Sequence, residues 1–262
     1  GPEATRRQAV VLFAQAQAAG EKGASKQALD LARKAHAQLP EFSPATALAG
    51  RLHGAAGDMR KARRLLQDGW RKAAHPDILA AWLDIHSSDD PEKRLDAVQK
   101  LIVQHEGDAE SRMALAKAAL EAGEFDMARA QLTALMDGAP TARVARLFSD
   151  LEDADDGDVA AARQWLREAA RLPGDDTWVC QSCGRQSGSW QPHCPDCGSF
   201  DAFAWAQPPG AGAVLAYSPA AEEVEAAVDG NVDGNVDAKP DAKIEILPPG
   251  TLPPDVEPDA KA

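Results

Sequence analysis

Four cysteines are the residues whose types and spacing most clearly suggest chemistry. Cys180 and Cys183 form one C-x2-C pair, ten residues follow, and Cys194 and Cys197 form a second pair. Two residues between thiolates allow a tight turn to bring both sulfurs to one ion, as Zn–S bonds of about 2.3 Å require. The four cysteines lie within a single stretch of 18 residues, which favours one local site over a disulfide framework.

This spacing predicts a closed structural zinc site. Gly184 and Gly198 each follow a pair, where the chain must bend so that backbone N–H groups face the sulfurs. Four protein ligands leave no open coordination position, so the ion would support folding. Iron bound in the manner of rubredoxin is the main alternative and would make the chain an electron carrier. Two disulfides and a redox-active dithiol are the other rivals.

The segment around the cysteines is too short to fold on apolar burial alone. A module of about 28 residues buries little surface, so metal binding must contribute to its stability. Five of the chain's thirteen aromatic residues lie there, and we expect them to form a miniature core that docks on the last helices of the preceding domain. These residues are Trp178, Trp190, Phe200, Phe203 and Trp205.

The domain before the cysteines is repetitive. Four glycines recur at intervals of 34, 66 and 34 residues, and four alanines, each five residues further on, repeat the same intervals. A period of 34 is the length of a tetratricopeptide (TPR) unit, a pair of helices. Glycine suits the left-handed turn between them, and alanine lets the second helix lie close to the first. The positions are Gly23, Gly57, Gly123, Gly157, Ala28, Ala62, Ala128 and Ala162.

The repeat predicts an all-α, TPR-like solenoid of helical hairpins over residues 5–176, with about five units. The third unit is degenerate, because Ser87–Pro91 stands where the glycine turn belongs. We expect a rubredoxin-like zinc ribbon over residues 177–206 and a disordered acidic tail, rich in Pro, Ala and Asp, over residues 207–262.

Charge and hydropathy narrow the functional classes. The net charge is −13, and residues 206–262 account for −8 of it, which argues against nucleic acid as a partner. No run approaches the roughly 18 apolar residues that span a bilayer. The chain opens at Gly1-Pro2 without a methionine, so we expect a fragment from which any membrane anchor has been cut away.

Stacked helical hairpins expose a curved groove, lined by the first helix of each unit, that binds segments of other proteins. In TPR register, Arg51 and Lys117 would face an acidic partner peptide. The sequence holds no catalytic constellation, so we expect a non-enzymatic interaction protein. The predicted groove residues are Gln17, Arg51, Ile85, Met113 and Lys117.

One family combines these features. TPR units that end in W-V-C-x2-C-G, then W-x-P-x-C-P-x-C-G-x-F-D and a closing tryptophan, resemble the C-terminal part of the proteobacterial HemY-type proteins. The resemblance implies an inner-membrane protein with an N-terminal pair of transmembrane helices and its soluble part on the cytoplasmic side. It also implies a scaffold or regulator of late haem biosynthesis, with haem-biosynthesis enzymes as partners.

The chain is also similar to LapB-type regulators, which carry a rubredoxin-like four-cysteine module after TPR units. That resemblance implies an adaptor that regulates lipopolysaccharide synthesis. Both families imply the same four metal ligands, Cys180, Cys183, Cys194 and Cys197.

Overall fold

The computed structural model describes residues 1–138, 140–155 and 157–208. Of the predicted tail, 207–262, all but the first two residues lie outside the described part. The predicted all-α solenoid is confirmed, with a small β-ribbon at its C-terminal end. No described helix combines the length and the apolarity needed to cross a membrane.

The described residues contain ten helices, which follow one another as five consecutive pairs. In four of the pairs the two helices pack on each other, whereas the two helices of the third pair pack mainly on the neighbouring pairs. The first helices of the pairs are α1 (Pro2–Glu21), α3 (Ser43–Ala55), α5 (Pro76–Asp84), α7 (Ala109–Glu121) and α9 (Ala142–Asp155). The second helices are α2 (Ser25–Gln38), α4 (Met59–Lys72), α6 (Pro91–Ile102), α8 (Phe125–Gly138) and α10 (Val159–Ala169).

The repeated glycines make the turns inside four of these pairs. Gly23, Gly57, Gly123 and Gly157 have φ values of 74°, 78°, 75° and 66°. This left-handed conformation is strained for residues with a Cβ, so glycine ends the first helix there at little cost. The prediction made from the 34-residue period is therefore confirmed at the level of the backbone.

The repeated alanines lie where the two helices of a pair touch. Ala28, Ala62 and Ala128 are fully buried, and Ala162 is 7% exposed. A larger side chain would push the helices apart, because interiors are packed without spare volume.

The degenerate third unit still contains two helices, but α5 packs mainly on α3 and α6 mainly on α7. Its turn lacks the glycine, but Asp90 caps α6 by accepting a 2.9 Å hydrogen bond from the backbone N–H of Lys93. The indoles of Trp70 and Trp82 are buried in the largest core cluster, which runs from α3 to α9. Large aromatic side chains thus supply burial in the middle of an alanine-rich solenoid.

The ribbon is a three-stranded antiparallel sheet. Its strands are β1 (Thr177–Cys180), β2 (Gln186–Ser187) and β3 (Phe203–Ala206), in the order β2-β1-β3. Trp178 of β1 stands opposite Ser187 of β2 and Trp205 of β3.

The ribbon packs on the beginning of the solenoid, around α1 and α2. Trp178, Trp190 and Phe203 share one buried cluster with Val10 and Phe13 of α1. The expectation that the ribbon's aromatic core docks on the last helices is therefore wrong. The short linker after α10 returns the chain to the start of the solenoid, which repeat spacing alone could not reveal.

Candidate metal centre

The two cysteine knuckles bring four sulfurs together. Their Sγ atoms all lie within 4.8 Å of one another. The Cys180–Cys197 and Cys183–Cys194 sulfur distances are 3.7 and 3.6 Å. A tetrahedral ion with bonds of about 2.3 Å would set its ligands about 3.8 Å apart, so the four sulfurs fit such an ion. Among the described residues, they are the only group of three or more His, Cys, Asp and Glu placed this way.

The glycines after the pairs shape the knuckles. Gly184 and Gly198 have φ values of 77° and 72°. Their N–H groups each donate a 2.8 Å hydrogen bond to the carbonyl oxygen of the first cysteine of the pair, Cys180 or Cys194. The left-handed turn folds each C-x2-C segment back on itself and aims both sulfurs at one point.

The four thiols are free of disulfide bonds. The sulfur pairs are far wider apart than the bond of about 2.0 Å that a disulfide needs. This geometry speaks against the disulfide alternative and leaves a metal as the group that fits.

Electrostatics inside the cluster favour a cation. Hydrogen bonds from the side chain and the backbone of Ser199 lower the pKa of Cys197 to about 6. A backbone hydrogen bond from Arg185 lowers the pKa of Cys183, but burial and the neighbouring sulfurs outweigh it and raise that pKa to about 12. Four neighbouring thiols cannot all ionise to thiolates unless a positive charge lies between them. A divalent ion at this position would supply that charge and would cross-link the two knuckles.

Exposure differs among the ligands. Cys180 and Cys194 are buried, Cys183 is half-buried and Cys197 is exposed. One side of the cluster therefore faces the solenoid and the other faces solvent.

Aromatic rings hold the ribbon in place. The Trp190 indole meets the rings of Phe13 and Phe42 edge-on, with centroids 5.5 and 4.9 Å away. Phe13 and Phe42 also meet each other edge-on at 5.5 Å. This three-ring cluster joins the loop before Cys194 to the first unit of the solenoid.

A second aromatic contact involves a histidine that sequence reasoning missed. The His75 ring lies 5.1 Å from the Trp178 ring and 4.5 Å from the Trp205 ring, between β1, β3 and the start of α5. Its Nδ1 caps α5 by accepting a hydrogen bond from the Asp77 N–H at 3.1 Å. Burial lowers the pKa of His75 to about 4, so the ring is neutral at pH 7.

An ion pair closes the contact at the edge. The Arg6 guanidinium of α1 donates hydrogen bonds of 2.7 and 2.8 Å to the two carboxylate oxygens of Asp201. A fork-to-fork pair of this kind fixes orientation as well as distance. No spacing in the sequence could link two residues 195 positions apart.

The ribbon covers part of the predicted groove. Phe13 lies ten residues before Gly23, as Met113 lies ten residues before Gly123, so the two hold equivalent repeat positions. Phe13 is covered by Trp190, and Met113 lines one cavity together with Trp205. The C-terminal module thus covers Phe13 and borders the cavity at Met113.

The other groove residues have varied surroundings. Gln17 is half-buried, and Ile85 is half-buried against Gly54, while Lys117 is exposed. Arg51 forms an ion pair with Asp84, 2.5 Å from Nε to the carboxylate. Met113 is only 7% exposed and belongs to the main core. Their joint role in binding a partner therefore stays a prediction.

Comparison with known proteins identifies no family. No family model matches the chain. A curated relative, the "Probable magnetosome protein Mms48" of Magnetospirillum gryphiswaldense, is 28% identical over 206 residues. The match covers 77% of this chain and 45% of the relative, so the chain spans less than half of that protein's length.

Solved structures with similar folds include TPR proteins. A tetratricopeptide repeat protein from Parabacteroides merdae is 16% identical, with 62% of this chain and 64% of that chain covered and a TM-score of 0.38. YrrB, described as a TPR protein with an unusual peptide-binding site, is 17% identical, with 61% and 84% covered and a TM-score of 0.38. A MamA structure labelled MSR-1 is 14% identical, with 63% and 95% covered and a TM-score of 0.37. The TPR fold of this chain rests on its own helix pairs and turns.

Proposed function

We propose that this chain is the soluble part of a membrane-associated scaffold or regulator of late haem biosynthesis, which acts by binding other proteins. The observation that carries the proposal is the union of a TPR solenoid with a four-cysteine ribbon that packs on its first unit. The HemY-type resemblance at residues 178–205 supplies the pathway, the inner membrane and the cytoplasmic side.

The ribbon's role in this proposal is structural. One zinc ion held by Cys180, Cys183, Cys194 and Cys197 would cross-link the knuckles and position Trp190 and Trp178 against the solenoid. Because all four ligands come from the protein, the site has no open position for a substrate. The chain's work is then binding and not catalysis.

Partner binding falls to the part of the groove that the ribbon leaves uncovered. Lys117 is exposed, and Arg51 is 41% exposed in its ion pair with Asp84. An acidic peptide segment would compete with Asp84 for the Arg51 guanidinium and would also meet Lys117.

Co-purification tests the pathway and the groove together. The full-length protein, with its expected anchor, is captured from membranes and its neighbours are identified by mass spectrometry. Haem-biosynthesis enzymes should be enriched, and the double variant Arg51→Glu/Lys117→Glu should recover much less of them. The matched control reverses Arg163 and Arg167, two exposed cations of α10, and should leave capture unchanged.

Other partner lists would point elsewhere. Lipopolysaccharide enzymes in place of haem enzymes would support the LapB-like adaptor, and magnetosome proteins would support the role named in the curated relative. If both double variants recover equal amounts of the partner proteins, the groove assignment is wrong. The list of captured proteins would still test the pathway.

A rubredoxin-like electron carrier is the second candidate, and one observation favours it. Cys197 is exposed and Cys183 is half-buried, so a metal held there would lie near the surface, where electrons can be exchanged with a partner. An iron-loaded chain purified without added metal would be red and would lose its colour on reduction. A colourless chain with one zinc would remove this candidate.

A further inference from the structure

The charge of the solenoid is segregated between its two sets of helices. The second helices of the five pairs hold fifteen basic and seven acidic residues, a net charge of +8. The first helices hold seven basic and ten acidic residues, a net charge of −3. In a chain of net charge −13, the outer layer of second helices is therefore distinctly positive.

Most of this positive charge lies on α4. The helix carries six basic residues and one acidic residue, Asp68. The basic side chains are all exposed, and Arg64 is exposed by as much as 87%. They are Arg60, Lys61, Arg63, Arg64, Arg71 and Lys72.

Three of the arginines form a stripe. Arg60, Arg64 and Arg71 are separated by four and seven residues, which places them on one side of a helix along about 16 Å of its axis. Only Asp68 offers the stripe a carboxylate among residues 1–138, 140–155 and 157–208, with Arg64 at 4.0 Å and Arg71 in closer contact. One carboxylate does not balance three guanidinium groups.

We infer that the α4 face, defined by these six basic residues, docks on a bilayer surface of anionic phospholipids. Phosphate headgroups match guanidinium groups in charge and geometry, and each cation near such a surface strengthens the attraction to it. The acidic first helices then point away from the bilayer, where screening over about 8 Å weakens their repulsion.

The observations favour a bilayer over a nucleic acid. The one aromatic residue of α4, Trp70, is fully buried, so the face offers no ring on which a base could stack. Arg63 and Arg71 border two cavities between α4 and α6, but the linings of these cavities also hold carboxylates, so they form no purely basic track for a phosphate backbone. The carboxylates are those of Asp68, Asp89 and Asp96. A long polyanion would also meet the acidic remainder of the chain.

This contact is separate from the N-terminal anchor in the proposed function. If the α4 face does not bind vesicles, the proposed anchor and the proposed partners are unaffected. If co-purification finds other partners, the proposed vesicle contact is unaffected.

Vesicle co-sedimentation of this chain tests the contact. The chain is mixed with phosphatidylcholine vesicles, or with vesicles that contain 30% phosphatidylglycerol, at 50 and 300 mM NaCl. We expect binding to the anionic vesicles at low salt, loss of that binding at 300 mM and no binding to the neutral vesicles. The variant Arg60→Gln/Arg64→Gln/Arg71→Gln should bind the anionic vesicles at least tenfold more weakly.

The control removes the same charge elsewhere. Arg163→Gln/Arg167→Gln/Arg171→Gln changes two exposed cations of α10 and one just after it, and should bind like the unchanged chain. Equal binding by the two triple variants, or no binding to anionic vesicles at 50 mM NaCl, would overturn the inference. So would a 20-base-pair DNA duplex bound as tightly as the vesicles. If the α4 variant loses helicity, the unchanged chain still tests the inference, because it should bind only anionic vesicles and only at 50 mM NaCl.

Discussion

The Trp190 indole of the ribbon lies edge-on to the Phe13 ring of the first helix, with the ring centroids 5.5 Å apart. This contact joins the two ends of the described chain. It places the cysteine module against the first unit of the solenoid and makes the stability of the two parts interdependent.

Truncation of Phe13 should therefore loosen the ribbon as well as α1. Phe13 is 4% exposed, and Phe13→Ala removes one wall of the Trp190 pocket. We expect the free energy of unfolding to fall by about 3 kcal/mol, measured by urea denaturation followed through tryptophan fluorescence. Phe13→Leu, which keeps most of the volume, should lose less than half as much. Equal stability of Phe13→Ala and the unchanged chain would show that the contact holds nothing together.

The Arg6–Asp201 pair should add modestly to docking. Its carboxylate is 12% exposed and its guanidinium 44% exposed, so solvent screens part of the attraction. A double-mutant cycle with Arg6→Gln and Asp201→Asn should give a coupling of about 1 kcal/mol at low salt. The coupling should shrink at 0.5 M NaCl, and a coupling near zero at low salt would mean that the pair does not form in solution.

A turn glycine and a helical glycine should respond to alanine substitution with opposite changes in stability. Gly123 has a φ of 75°, so Gly123→Ala should destabilise the chain by about 1 kcal/mol although no atom would clash with the new Cβ. Gly20 lies in the last turn of α1, also with open space around it, and Gly20→Ala should stabilise by about 0.5 kcal/mol. Thermal melts of both variants measure the difference, and a shared sign would contradict the turn assignment.

His75 should make ribbon docking sensitive to acid. Burial lowers its folded-state pKa to about 4, below the value of 6.5 in the unfolded chain. Stability from the neutral ring is therefore complete above pH 6.5 and is lost progressively as the pH falls toward 4. Between pH 7.5 and 5 the loss should be about 2 kcal/mol in urea denaturation.

The variant His75→Gln isolates this effect. Between pH 7.5 and 5 this variant should lose about 2 kcal/mol less of its free energy of unfolding than the unchanged chain does. Acid release of any metal affects both chains alike. Burial raises the pKa of the neighbouring Asp77, which acts in the opposite direction. An identical pH dependence with and without His75 would assign the acid sensitivity to other groups.

Much of this molecule could be predicted because its sequence repeats. The positive φ of Gly57 and the full burial of Ala62 follow from a period that brings the same turn and the same close contact back in each unit. The knuckles could be predicted as well, since C-x2-C followed by glycine determines its own local geometry. Both signals are short-range.

The position of the ribbon depends on long-range contacts, which no period encodes. Trp190 meets Phe13 across 177 residues, and Arg6 meets Asp201 across 195. The scarcity of aromatic residues was the available hint, because Phe13 and Phe42 are two of only six phenylalanines. His75 carried no hint, since its ring is buried by residues more than 100 positions away.

We propose that four thiolates hold one structural divalent ion on which the docked ribbon depends. Elemental analysis of the chain purified without added metal tests it most directly, with the variant Cys180→Ser/Cys197→Ser as the blank. We predict one zinc per chain, none in the variant and no visible absorbance. A chain without bound metal whose Trp190 remains buried, or one that carries iron in zinc's place, would contradict the account.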